Sequence, residues 1–197
     1  MTSSNPLIEQ ATSDLRHRSA NFFQLLSALA RMRSQKSDTV EARRQLLWMA
    51  DAIGSLGALE RHRTEDGVDF QAYLNEMVPI WRRRYGVRGP ELKAEIGPML
   101  ARDFSASTIA LIAQELVGNA ATHGFPDGRT GEIHMTIAPE TETRWVMTVE
   151  DDGVGYDPVQ AKEGFGLWFI RSLATQIHGT LSLESGVGTT ARLVFTP

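Results

Sequence analysis

The chain has 197 residues, 42% hydrophobic and 22% charged, enough to bury the core of one large domain or two small ones. A net charge of −4 gives it no general attraction for nucleic acid or an anionic membrane. The lack of cysteine removes disulfides, thiol nucleophiles and thiolate zinc sites, in keeping with a reducing compartment. No run approaches the ~18 apolar residues of a membrane span, and the opening MTSSNPLIEQ lacks the basic and apolar regions of a signal peptide. A cytoplasmic chain with no membrane span is expected.

From Thr12 onward, Leu15, Phe22, Leu25, Leu26, Leu29 and Met32 recur at helical spacing, which predicts an amphipathic helix. The short residue count ahead of it leaves no room for a sensor domain within this sequence. Ser34 to Thr39 is polar and reads as a turn. A second helix is predicted from Thr39 to Arg61, with Leu46, Leu47, Met49, Ile53, Leu56 and Leu59 on its apolar side. Two such helices cannot bury both stripes alone, so a homodimer with a four-helix bundle is expected. Arg63 to Gly67 reads as a hinge.

Asp69 is a predicted N-cap for a helix containing Phe70, Tyr73, Leu74, Met77, Val78 and Trp81, broken by Gly86 to Pro90. Leu92 to Ile96 alternates like a strand. Ser105 is predicted to cap a helix that runs to about His123, followed by a turn-rich loop through Pro126-Asp127-Gly128. Strands are expected over Glu132 to Ala138 and Arg144 to Glu150, then a loop, then a helix to about His178. Strands over Thr180 to Glu184 and Thr190 to Phe195 close the chain. Together these elements predict an α+β fold: an N-terminal antiparallel helical hairpin over residues 1–66, then an α/β sandwich over residues 67–197. Trp48, Trp81, Trp145 and Trp168 read as core or interface, and Arg82-Arg83-Arg84 as a solvated helix end.

Asp14, His17 and Asn21 fall at i−3, i and i+4 and so share one helix face. A carboxylate one turn away can hold one imidazole N–H and leave the other nitrogen nucleophilic. Glu115 and Asn119 sit at i and i+4 ahead of His123; an amide oxygen beside a carboxylate suits Mg²⁺, which also keeps waters and phosphates. Asp151-Asp152-Gly153-Val154-Gly155 ends a strand, where Asp151 could accept from an exocyclic amine and the glycines allow close approach of a ligand. Gly164-Phe165-Gly166-Leu167 precedes a helix whose first N–H groups favour phosphate. Gly186-Val187-Gly188-Thr189-Thr190 reads as a hairpin turn.

The order of these motifs is more specific than any one of them. Residues 104 to 197 resemble the Bergerat-fold ATPase domain of the GHKL superfamily. The stretch ELVGNAATHGFPDGRTGEI, residues 115 to 133, is most similar to histidine kinases of the HisKA_2 and HWE type. Asp14, His17, Arg18, Asn21 and Gln24 match the H-box of those kinases. The resemblance implies that His17 is phosphorylated and that Asp14 orients it. It places Glu115 and Asn119 in the N-box, with Asn119 on Mg²⁺, and gives the adenine amine to Asp151, supported by Gly153 and Gly155. Gly164 and Gly166 would shape the lid and its phosphate contacts, with Thr189 near the adenine pocket. ATP and Mg²⁺ are then the implied cofactors, and the aspartate of a response-regulator receiver domain the implied phosphoryl acceptor. Two departures stand out: Ala20 and Thr122 occupy places where relatives often carry Lys. An ATP-independent dimeric histidine phosphotransferase of a phosphorelay therefore remains an alternative, and a GHKL serine kinase a more distant one.

Overall fold

The computed structural model describes the backbone of residues 6–86, 89–126, 128–156 and 164–197, with side chains from Asp14 onward. Asp127 of the predicted Pro-Asp-Gly turn and most of the loop between Gly155 and Gly164 lie outside the described residues.

The chain opens with helix α1, Pro6–Gln35, which starts earlier than the apolar stripe alone suggests. Helix α2, Val40–Glu60, runs back along it. Thr39 caps α2 by accepting from the Ala42 N–H, and Glu41 in the first turn suits the positive end of the helix dipole. Ser27 Oγ donates to the Ala50 carbonyl at 2.7 Å, and Arg31 pairs with Asp51, fastening the two helices. The small side chains of Ala20 and Gly57 bring them close: a Cβ on Gly57 would lie 3.0 Å from Phe23 Cβ and 3.6 Å from the Ala20 carbonyl.

Strand β1, Val68–Asp69, follows the hinge, and Asp69 caps helix α3, Phe70–Tyr85, as its sequence predicts. Strand β2, Glu91–Ile96, and the short β3, Leu100–Ala101, come next; β3 pairs with β1 in a two-stranded ribbon too brief to show periodicity in the sequence. Helix α4, Asp103–Asn119, begins two residues before Ser105. Arg102 holds the extended cap position with no side-chain cap, Asp103 supplies the acidic first turn and pairs with Arg63, and Ser105 is buried inside the helix. The helix ends in a wide π turn, Ala120–Gly124, in place of the regular helix expected up to His123.

The main sheet has strand order β2-β4-β5-β7-β6, with β4 Glu132–Pro139, β5 Trp145–Asp151, β6 Thr180–Gly186 and β7 Gly188–Phe195. Only β2 and β4 run parallel. Helix α5, Phe165–Gln176, connects β5 to β6. Ile133, Met135 and Ile137 alternate inward with Met147, Val149, Ala191, Leu193 and Phe195, and they form one core with residues of α3, α4 and α5. The opposite sheet face carries Thr148, Glu150, Ser182 and Arg192. The α+β class with an N-terminal hairpin is the architecture observed.

The two apolar stripes of the hairpin have different fates. Ala58 and Leu59 of α2 join the main core, and α2 runs along α4. Leu15, Phe22, Leu25, Leu29 and Met32 of α1 remain between 51% and 64% exposed. Arg84 does not end as free solvated charge: it pairs with Asp51 of α2, while Arg82 Nε donates to the Leu92 carbonyl. Among the described residues, no helix is long and apolar enough to cross a membrane.

Candidate functional site

Asp151 is the last residue of β5 and is 7% exposed. A buried carboxylate needs donors, and two backbone groups supply them. The Gly153 N–H donates to Oδ1 at 2.9 Å and the Thr189 N–H to the same oxygen at 3.3 Å. Oδ2 has no protein donor among the described residues. Burial pushes the Asp151 carboxyl above the usual aspartate range, and the Gly153 and Thr189 N–H groups partly offset this.

Glycines make this cradle possible. A Cβ on Gly124 would lie 2.8 Å from Asp151 Oδ1, and one on Gly188 (φ +93°) would overlap the Asp151 carbonyl oxygen. A Cβ on Gly153 would overlap the Gly124 carbonyl, which itself accepts from the Val154 N–H at 2.9 Å. Gly155 (φ +68°) turns the chain beside the last hairpin. The predicted residues Asp151, Gly153, Gly155 and Thr189 thus converge. Gly124, which the sequence did not single out, and Gly188, which it offered only as part of a hairpin turn, join them. Gly124 reaches Asp151 only through the π turn, and Gly188 reads locally as a hairpin residue.

Glu115 and Asn119 lie one turn apart on α4, Glu115 at 8% exposure and Asn119 half-buried. Gly166, in the first turn of α5, lies against them. A Cβ there would overlap Glu115 Oε1 and stand 3.8 Å from Asn119 Nδ2. Gly164 precedes α5 in extended conformation with open space around its Cα, and its carbonyl accepts from the Trp168 N–H. A carboxylate acceptor thus ends the central strand β5, while a carboxylate–amide pair on α4 lies against the start of helix α5. This donor and acceptor set fits an adenine nucleotide: Asp151 could accept from an amine, Asn119 with Glu115 nearby suits hydrated Mg²⁺, and the α5 N-terminus favours phosphate. One residue outside the predicted set enters here: Trp48 of α2 donates its indole N–H to Glu115 Oε2 at 2.5 Å.

Asp14, His17 and Asn21 are all exposed on α1. Among the described residues no hydrogen bond joins Asp14 to His17. His17 lines a cleft of about 310 Å³ with Arg16, Glu60 and Arg61. Arg16 Nη1 donates to the Arg63 carbonyl at 2.6 Å, which fixes this part of α1 against the hinge. Just ahead of it, Arg61 and His62 are tied to α3 by Glu76, which accepts from both. Burial would raise the Glu76 carboxyl, but hydrogen bonds from Arg61 and His62 outweigh it and hold it below the usual range.

Residues 105–197 match the family described as histidine kinase-, DNA gyrase B- and HSP90-like ATPase. The chain is 28% identical over 181 residues to the sensor histidine kinase PdtaS of Mycobacterium tuberculosis and 29% identical over 182 residues to that of Mycolicibacterium smegmatis. In both cases 87% of this chain is covered, and it spans 36% of the length of those relatives. The fold superposes on the histidine kinase domain from the Erythrobacter litoralis EL346 blue-light activated histidine kinase with a TM-score of 0.73 at 17% identity, covering 95% of this chain and 94% of that one. Residues 105–197 thus match the histidine kinase-, DNA gyrase B- and HSP90-like ATPase family, and the chain as a whole, hairpin included, shares its fold with a histidine kinase domain.

Proposed function

We propose that the chain is a two-component histidine kinase core of the HisKA_2 or HWE type, which phosphorylates His17 from Mg·ATP and passes the phosphoryl group to a receiver-domain aspartate in the cytoplasm. The observation that carries this reading is the buried Asp151 carboxylate, held through one oxygen by two backbone N–H groups, with no protein donor to the other among the described residues. We divide the chain at residues 66 and 67, with phosphotransfer and dimerisation in the first part and nucleotide binding in the second. The exposed α1 stripe supports a homodimer through the hairpin.

In this reading Asp151 accepts the adenine amine, and the backbone turns at Gly153 and Gly155 let the base approach. Asn119, beside Glu115, holds Mg²⁺, which would neutralise phosphate charge. An exposed imidazole nitrogen of His17 attacks the γ-phosphorus, the bond to the β–γ bridging oxygen breaks and ADP leaves; Asp14 is placed one turn away to orient the ring. The protein contributes mainly positioning and charge compensation.

Incubation with γ-labelled ATP and Mg²⁺ tests the proposal. Acid-labile label is expected on the wild-type chain and none on His17→Gln. Label that arrives only from a phosphorylated receiver, never from ATP, would replace the kinase by the phosphorelay transferase. Acid-stable label on a partner serine would replace it by a serine kinase.

A further inference from the structure

The hairpin reaches the nucleotide site through a side chain that belongs to none of the recognised motifs. Trp48 lies on α2. Its indole N–H donates to Glu115 Oε2 at 2.5 Å, a charge-assisted bond to a carboxylate that is 8% exposed. Its ring meets Phe165 and Phe169 of α5 edge-on, with centroids 5.3 and 5.2 Å away at 84° and 82°. Phe165 and Phe169 stack on each other at 5.9 Å. The other Glu115 oxygen, Oε1, lies hard against Gly166.

One oxygen of the carboxylate is thus held by the hairpin, and the other fills the space that a side chain on Gly166 would need in the first turn of α5. A hydrated cation beside Asn119 needs a lone pair from this carboxylate, directly or through water, and the phosphates need the space between α4 and the start of α5. Trp48 occupies one oxygen of this carboxylate and packs on the start of α5 through Phe165 and Phe169.

We infer that Trp48 is a clasp whose docking competes with Mg·nucleotide: it fastens the hairpin to Glu115 and α5 when the site is empty and lets go when the site fills. The inference rests on the proposed nucleotide reading of this site. Because linkage is reciprocal, nucleotide weakens the hold of the hairpin by the same factor that the clasp weakens nucleotide. A different role, in which Trp48 positions Glu115 for catalysis, makes the opposite prediction for affinity.

The test is calorimetric titration of the full chain with Mg²⁺ and a non-hydrolysable ATP analogue, comparing wild type with Trp48→Phe. Phenylalanine keeps an apolar ring against Phe165 and Phe169 and removes only the N–H donor. A Kd lower by on the order of tenfold is expected for the variant. In parallel, the four tryptophans of the chain give four indole N–H signals in ¹H–¹⁵N spectra. The Trp48 signal, assigned by its loss in Trp48→Phe or by elimination from variants of Trp81, Trp145 and Trp168, should move and lose exchange protection at saturating nucleotide. An equal or higher Kd in the variant, or an unmoved Trp48 signal in nucleotide-saturated wild type, overturns the clasp alone. Failure of every form to bind overturns the nucleotide reading and the clasp with it.

Discussion

Asp151 carries its charge at a cost that the surrounding backbone only partly offsets. Burial raises its carboxyl pKa, so the folded state binds this proton more readily than the unfolded chain. Stability should therefore fall as pH rises from the ordinary aspartate range through the raised value, and be flat above it. Nucleotide affinity should follow the opposite course, rising through the same interval as the carboxylate becomes a full acceptor. Asp151→Asn is expected to keep its Oδ1 bonds to Gly153 and Thr189 and to fold at least as stably at neutral pH, by thermal unfolding. It should lose nucleotide by at least about tenfold in calorimetry, since its amide N–H₂ then faces an amine donor. The place of Asp151 at the end of β5, ahead of two closely spaced glycines, is legible in the sequence. The role of Gly124 is not, since nothing in the sequence announces the π turn that brings it to Asp151 Oδ1.

Helix α2 serves two neighbours, and one buried pair shows how firmly it is held. Ser55 Oγ and the Tyr73 hydroxyl are 2.6 Å apart, with both residues at 1% exposure or less. Burial pushes the Tyr73 hydroxyl well above the usual tyrosine range, so it remains protonated and must have a partner. Ser55→Ala should leave that hydroxyl unpaired and cost about 1–3 kcal/mol in denaturant unfolding. Adding Tyr73→Phe in the same chain should recover part of the loss, because the orphaned group is then gone. An unchanged midpoint for Ser55→Ala would show that the pair contributes nothing. Long periodic elements such as α2 and α3 are readable from their stripes, and the Asp69 cap from its residue type. The start of α4 is not, because Arg102 caps it with backbone geometry alone while Asp103 turns to Arg63. The β1–β3 ribbon is two residues wide and leaves no periodic trace.

At the scale of the whole molecule, the exposed stripe on α1 dominates. Phe22 at 58% and Leu25 at 57% exposure lie near its middle, among Leu15, Leu29 and Met32. A stripe of this length on a hairpin whose other helix is already engaged is best buried by its own copy. Phe22→Glu combined with Leu25→Glu should convert a dimer into the 21.8 kDa monomer by light scattering, with unchanged far-ultraviolet circular dichroism because neither side chain supports the fold of one chain. A wild-type chain that is monomeric at high micromolar concentration would refute the dimer. The sequence displays this stripe but does not say which helix keeps its apolar face free; that depends on α2 finding α4, a contact between residues far apart in the chain.

The course of α2 along α4 has one more consequence. His17 shares its cleft with Glu60, the last residue of α2, well beyond Trp48 near the middle of that helix. From residue 48 to residue 60, at about 1.5 Å per residue, the helix advances roughly 18 Å. In the proposed reading, a phosphoryl donor beside Glu115 would stand about that far along the helix from the imidazole of the same chain. On that reading the docked hairpin works as a safety interlock, because transfer to a histidine waits until the hairpin lets go or a second chain offers its own.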